Sequence, residues 1–168
     1  IGNIAIGYQA LDAEDDGDWS TAVGYRALTS QTGNSGNVAN TAVGFEALEG
    51  VTTTGDNTAF GYLAGKGITG AANIAIGPYC LDAAFGANDN VGVGNHCMTN
   101  KTSGGNCVAV GNSSMNQSTT SMNSTAIGSG ALRSITTGDN NTALGYNAMY
   151  ASTTAASNTA LGFRTMDS

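Results

Sequence analysis

The residues able to do chemistry are few and scattered. The densest charge run is Asp12-Ala13-Glu14-Asp15-Asp16-Gly17-Asp18. Acids at alternate positions, Asp12, Glu14 and Asp16, followed by Gly17, have the outline of a calcium loop. The position for the closing bidentate Glu holds Val23 instead, and the sequence offers no flanking helices. A solvated acidic turn is the favoured reading, with calcium on Asp12, Glu14 and Asp16 as the alternative and no other cofactor expected. Calcium binding would raise the melting temperature, and Asp16→Asn would abolish the rise. Cys80, Cys97 and Cys107 lack metal-site spacing. Cys80 and Cys97 stand 17 residues apart and read as small buried thiols. His96, the sole histidine, reads as an exposed residue. Carboxylate pairs hydrolyse polysaccharides, but Asp56, Asp89 and Asp139 each sit in or near a turn. No His partners the many serines, so nucleophilic catalysis has no support. The chain reads as a non-enzyme. Tyr8, Tyr25, Phe45, Tyr62, Tyr146 and Phe163 form an aromatic series, either a packing corner or a stacking surface for cell-surface sugars.

What must position these residues is a repeat, and repeats of this period decide the whole fold. The unit is Asn57-Thr58-Ala59-Phe60-Gly61-Tyr62-Leu63-Ala64. Its glycine recurs as Gly7, Gly24, Gly44, Gly61, Gly77, Gly94, Gly111, Gly128, Gly145 and Gly162. The spacings are 17, 20, 17, 16, 17, 17, 17, 17 and 17, with an insertion around Gly33 to Gly36. Each copy holds a short alternating stretch that reads as a strand, and then a polar turn such as Thr54-Gly55-Asp56-Asn57. Glycine is expected to supply the positive φ in those turns. Seventeen residues are too few for a strand and a packed helix. They suit one coil of an all-β parallel solenoid, a β-roll or β-helix of ten coils forming a single domain over residues 1–168.

Stacking the coils aligns columns. The column before the glycine (Ile6, Val23, Val43, Phe60, Ile76, Val93, Val110, Ile127, Leu144, Leu161) is apolar throughout. With a Leu and Met column (Leu11 to Met166) and a small-residue column (Ala10 to Thr165), it is expected to build a thin core. The alanine column (Ala5 to Ala160) faces either a narrow interior or a partner chain. Asn3, Asn40, Asn57, Asn73, Asn90, Asn141 and Asn158 form a column that would run as an amide ladder or cap its own turns. The Thr column (Thr21, Thr41, Thr58, Thr125, Thr142, Thr159) invites an ice-binding reading. Ile4, Ile74, Val91 and Val108 interrupt it, so it reads as part-buried and the ice reading is disfavoured.

Composition narrows the function. Charged residues are only 10% of the chain, against about 25% typically. Net charge is −7 and the pI near 4.2, which leaves no basic surface for nucleic acid. Hydrophobic residues at 40% exceed what a disordered tail carries. No run of about 18 apolar residues could span a membrane as a helix. Ile1 begins inside a repeat, so the sequence reads as a segment of a longer fibre protein.

The units Asn73-Ile74-Ala75-Ile76-Gly77 and Ser124-Thr125-Ala126-Ile127-Gly128 resemble the head repeats of trimeric autotransporter adhesins. The longer form Thr136-Thr137-Gly138-Asp139-Asn140-Asn141-Thr142-Ala143-Leu144-Gly145-Tyr146-Asn147-Ala148-Met149 is similar to repeats of phage tail-fibre proteins. The resemblance covers almost the whole chain and brings no catalytic site. It implies a parallel β-roll, three chains side by side, on a virion or cell surface. The period of 17 is longer than the adhesin head repeat. The expected function is a rigid shaft or attachment segment of a phage tail fibre. The alternative is a bacterial adhesin or a self-assembling filament subunit that stacks end to end.

Overall fold

The computed structural model describes residues 2–33, 36–83 and 85–167. Asn34 and Ser35, within the insertion, lie outside the described residues. β-Branched Thr, Val and Ile favour extended backbone, and each copy forms a three-residue strand. These are Ile4–Ile6, Thr21–Val23, Thr41–Val43, Thr58–Phe60, Ile74–Ile76, Val91–Val93, Val108–Val110, Thr125–Ile127, Thr142–Leu144 and Thr159–Leu161. They pair in chain order into one ten-stranded parallel sheet. Equivalent columns stay in register: Ala22 lies opposite Ala42 across the insertion, and Ala59 opposite Ala75 across the 16-residue step. Among the described residues there is no helix. The architecture is a parallel β-solenoid of about nine full turns between its first and last strands. A minor pair, Gly17–Asp18 with Gly36–Asn37, and a bridge between Asn88 and Gly105 tie turns of neighbouring coils.

The interior departs from the expected core. Strand alternation puts the alanine and its flanking bulky residues on opposite faces. The solenoid is narrow, so the alanines point in: Ala22, Ala42, Ala59, Ala75, Ala109, Ala126 and Ala143 are fully buried within one chain. The column before the glycine points out. Ile6 is 61% exposed, Phe60 59% and Leu144 45%. The core therefore consists of the alanine column, the small column (Ala27, Ala47, Ala64, Cys80, Cys97, Ala131, Ala148) and the Leu and Met column (Leu28, Leu48, Leu81, Met98, Met115, Leu132, Met149). A further interior column, seven residues after each motif glycine, holds Gln31, Val51, Ile68, Lys101, Ser118 and Ile135, all buried.

The asparagine column both ladders and caps. From Asn3 to Asn141 the asparagine side-chain oxygens accept the backbone N–H at the same position in the next coil, as from Asn57 to Asn40 Oδ1 (2.9 Å), Asn90 to Asn73 Oδ1 (3.1 Å) and Ser20 to Asn3 Oδ1 (2.8 Å). The amide nitrogens donate to turn carbonyls, as from Asn57 Nδ2 to Gly70 O (3.0 Å) and Asn141 Nδ2 to Ala155 O (2.7 Å). Asn40, Asn57, Asn73, Asn90 and Asn141 are buried, so these bonds satisfy groups that water cannot reach.

The motif glycines stand at φ between +119° and +141°. A Cβ on Gly77 would lie 2.6 Å from Gly94 O in the next coil, too close for any side chain. In the turns, the residue before the asparagine column takes positive φ, as at Asp56 (+62°) and Asn140 (+59°), whereas Gly55 and Gly138 do not. Those two glycines are required by close approach, to Val38 O and Ala155 O. The Leu and Met column is itself left-handed, from +48° at Met115 and Leu132 to +56° at Leu11. That conformation costs about 1–2 kcal/mol per residue. In exchange the N–H of Leu28, Leu81 and Met98 reaches the carbonyls of Ala47, Cys97 and Ser114 in the next coil at 2.9–3.1 Å.

Candidate functional site

The most extensive surface feature is the outward face of the sheet. Its two rows are the Thr column with Ile4, Ile74, Val91 and Val108, and the apolar column from Ile6 to Leu161. Neither row carries a charge. Thr41, Thr142 and Thr159 are exposed and Thr21, Thr58 and Thr125 half-buried, so the Thr row lies on the surface despite its aliphatic interruptions. Nine steps of about 4.8 Å make the face ~43 Å long. With three-residue strands ~10 Å wide it covers ~400 Å², shared between the apolar row and the mostly Thr row, within the range of the largest surface patches that often serve a function.

Beside it, one residue past each glycine, runs the aromatic series. Tyr8, Tyr25, Phe45 and Tyr62 stack face to face with centroids 5.4, 5.0 and 5.2 Å apart, and Tyr146 stacks on Phe163 at 5.5 Å. Their faces cover one another along the solenoid. Only ring edges meet solvent within each stack, which argues against a continuous sugar platform. The ladder then changes column. Tyr79 meets Tyr62 edge to face, and His96 stacks on Tyr79 at 4.7 Å. His96 is thus a half-buried rung rather than a free surface group.

The acidic turn does not bring its three acids together. Glu14 is seven residues past Gly7, in the inward column. Its carboxylate accepts from the backbone N–H of Asp16 (3.1 Å) and Gly17 and from Gln31 Nε2. Asp12 and Asp16 are exposed. Among the described residues no three His, Cys, Asp or Glu side chains converge on a metal position. Asp139 accepts the Met122 N–H at 2.8 Å, a bond between coils, while Asp56 and Asp89 are exposed on separate turns.

The three cysteines are free and buried. The Cys80 thiol is pushed far up by its hydrogen bond with Cys97 and by burial. Lys101 is wholly buried, and its Nζ donates to Ser121 O (2.6 Å) and lies 3.7 Å from Cys107 Sγ. Burial lowers its pKa from the ordinary lysine value. On the surface, Arg26, Glu46, Glu49 and Lys66 form an ion network across three coils, with contacts of 2.7–3.7 Å. Its hydrogen bond to Glu46 raises the pKa of Lys66.

Sequence reasoning missed the inward column because its mixture of Glu, Gln, Val, Ile, Lys and Ser hides it. The apolar Val51, Ile68 and Ile135 at one phase were the available signal. Comparison with known protein families, curated proteins and solved structures finds no match. Among the described residues no helix is long and apolar enough to cross a membrane.

Proposed function

We propose that the chain is a structural segment of an extracellular fibre on a virion surface, a rigid shaft or attachment segment whose copies associate side by side as a homotrimer. The observation that carries this reading is the uncharged sheet face, with Ile6, Phe60, Ile76, Ile127, Leu144 and Leu161 exposed and the valines between them half-buried. Water-exposed apolar area of this extent is removed by association at about 25 cal/mol per Å². Identical rods in parallel bring the same columns together, so one face serves every copy. The repeat resemblance supports three copies and equally accommodates a bacterial surface adhesin. The alanine column takes no part in that contact because each chain buries it alone.

The test is a charge on the face. Val93→Lys should keep the β-sheet circular dichroism and lower the native mass to that of one chain. A trimer mass that survives Val93→Lys and a second charge at Val110 would refute association through this face.

The exposed Thr41, Thr142 and Thr159 favour a second reading, in which the regular Thr and aliphatic rows order water against ice. Inhibition of ice recrystallisation by the single chain, lost in Thr142→Lys, would support it, and its absence would exclude it.

A further inference from the structure

The aromatic ladder is broken over four coils, where Pro78, Asn95, Asn112 and Ser129 replace its rings. Tyr146 is the first ring after the break. Phe163 covers one of its faces, and on the other side the next rung is Ser129, which has no ring. In the following column Gly130 stands where other coils carry Arg26, Glu46 or Tyr79. Gly130 gives its space to Asn147, whose Oδ1 would lie 2.1 Å from a Cβ there, while the absent ring at Ser129 borders a cavity of about 270 Å³ lined by Asn112, Ser113, Ser129, Arg133, Tyr146 and Asn147. Its size is just below the roughly 300–1,000 Å³ of ordinary ligand clefts and suits one sugar ring.

The lining is suited to such a ring. Tyr146 is exposed and its side chain lines the cavity. Ser113 and Ser129 offer hydroxyls, and Asn147 an amide whose oxygen lies against Gly130. Arg133 is the only guanidinium among the described residues without a carboxylate within ion-pair distance, since Arg26 and Arg164 are both paired. Its Nη1 donates to Tyr150 Oη, and its guanidinium carbon lies 5.3 Å from the centre of that ring. Tyr150 thereby holds the cation in place while the other N–H groups remain able to grip a carboxylate.

We propose that this cavity binds one carboxylated sugar, a uronic or sialic-type acid, in the space of the missing ring. The sugar's apolar face stacks on Tyr146, its carboxylate pairs with Arg133, and its hydroxyls meet Ser113, Ser129 and Asn147. The site lies on a single chain beyond the glycine column from the outward sheet face. Its test is therefore independent of side-by-side association.

Glucuronic acid, N-acetylneuraminic acid and glucose are titrated to about 20 mM while the amide resonances are followed, because a ligand this small binds near the millimolar range. At least one acidic sugar should shift Tyr146 and Asn147 selectively, and glucose should not. Ser129→Tyr restores the missing rung, preserves the fold and should weaken that sugar at least tenfold. Arg133→Gln should weaken it comparably. The proposal is overturned if neither acid shifts these residues, if glucose binds as tightly, or if binding survives Ser129→Tyr.

Discussion

Alanine at Gly77 places a methyl carbon 2.6 Å from Gly94 O and 2.8 Å from Gly94 C. At Gly162 the backbone is nearly the same, φ +123° against +119°, but the nearest atom is Thr165 Cγ2 at 3.3 Å, with no later coil against it. Both alanines carry the cost of a left-handed residue, about 1–3 kcal/mol. Only the one at Gly77 must also push coils apart, by ~0.7 Å to reach ordinary contact. That movement breaks two ladder bonds, Gly94 N–H to Ile76 O (2.7 Å) and His96 N–H to Pro78 O (3.1 Å). At about 1 kcal/mol each, Gly77→Ala should cost about 2 kcal/mol more than Gly162→Ala. Gly86, at φ +69° with nothing within 4 Å of a Cβ, should cost the backbone term alone. Urea unfolding followed by circular dichroism measures all three. Equal losses at Gly77 and Gly162 would refute the claim that coil stacking selects the glycine column.

Two further predictions concern buried charge. Asp82 is half-buried with Oδ1 unpartnered, and burial raises its pKa above the ordinary 3.8. The folded state holds the proton more tightly, so stability falls as pH rises through that window and the penalty is complete above it. Asp82→Asn should raise the melting temperature at pH 7 by about 1–3 °C, converging with wild type below pH 3.8; no difference at pH 7 would contradict this. For Lys101 the folded pKa is depressed below 10.5, so the unfolded chain binds more protons and wild-type stability should climb as pH rises toward 10.5. Lys101→Ile matches Ile68 and Ile135 in the same column and leaves Ser121 O its weaker contact with Cys107 Sγ (3.5 Å). It should flatten that slope and stabilise at pH 7; a destabilised variant with an unchanged slope would refute the role of burial.

The period, the strands and the column register were legible because every motif glycine before the last is fixed by the next coil's backbone. The inward face was not. Alternation says only that Ala22 and Val23 point oppositely, and bulky residues inside is the ordinary assumption. It fails here because coil on coil leaves room for alanine but not valine beneath the strand. The left-handed Leu28 and Met98 were invisible for a related reason, since local preference opposes that conformation and inter-coil hydrogen bonds override it. Glu14 read as calcium-like because its neighbours are acids, while its position seven residues past Gly7 turns it toward Gln31. The cavity at Ser129 was legible only as interruptions in the aromatic column, and Arg133 and Tyr150 gave no periodic signal.

The central claim is that the outward sheet face joins copies of this chain, and native mass by light scattering over a range of concentrations tests it most directly. The account predicts a constant mass near 50 kDa, three times 16.7 kDa. Masses that climb with concentration would indicate end-to-end growth in place of a closed trimer. A constant 16.7 kDa would contradict the account, leaving the face in water and the ice-ordering reading to be tested in its place.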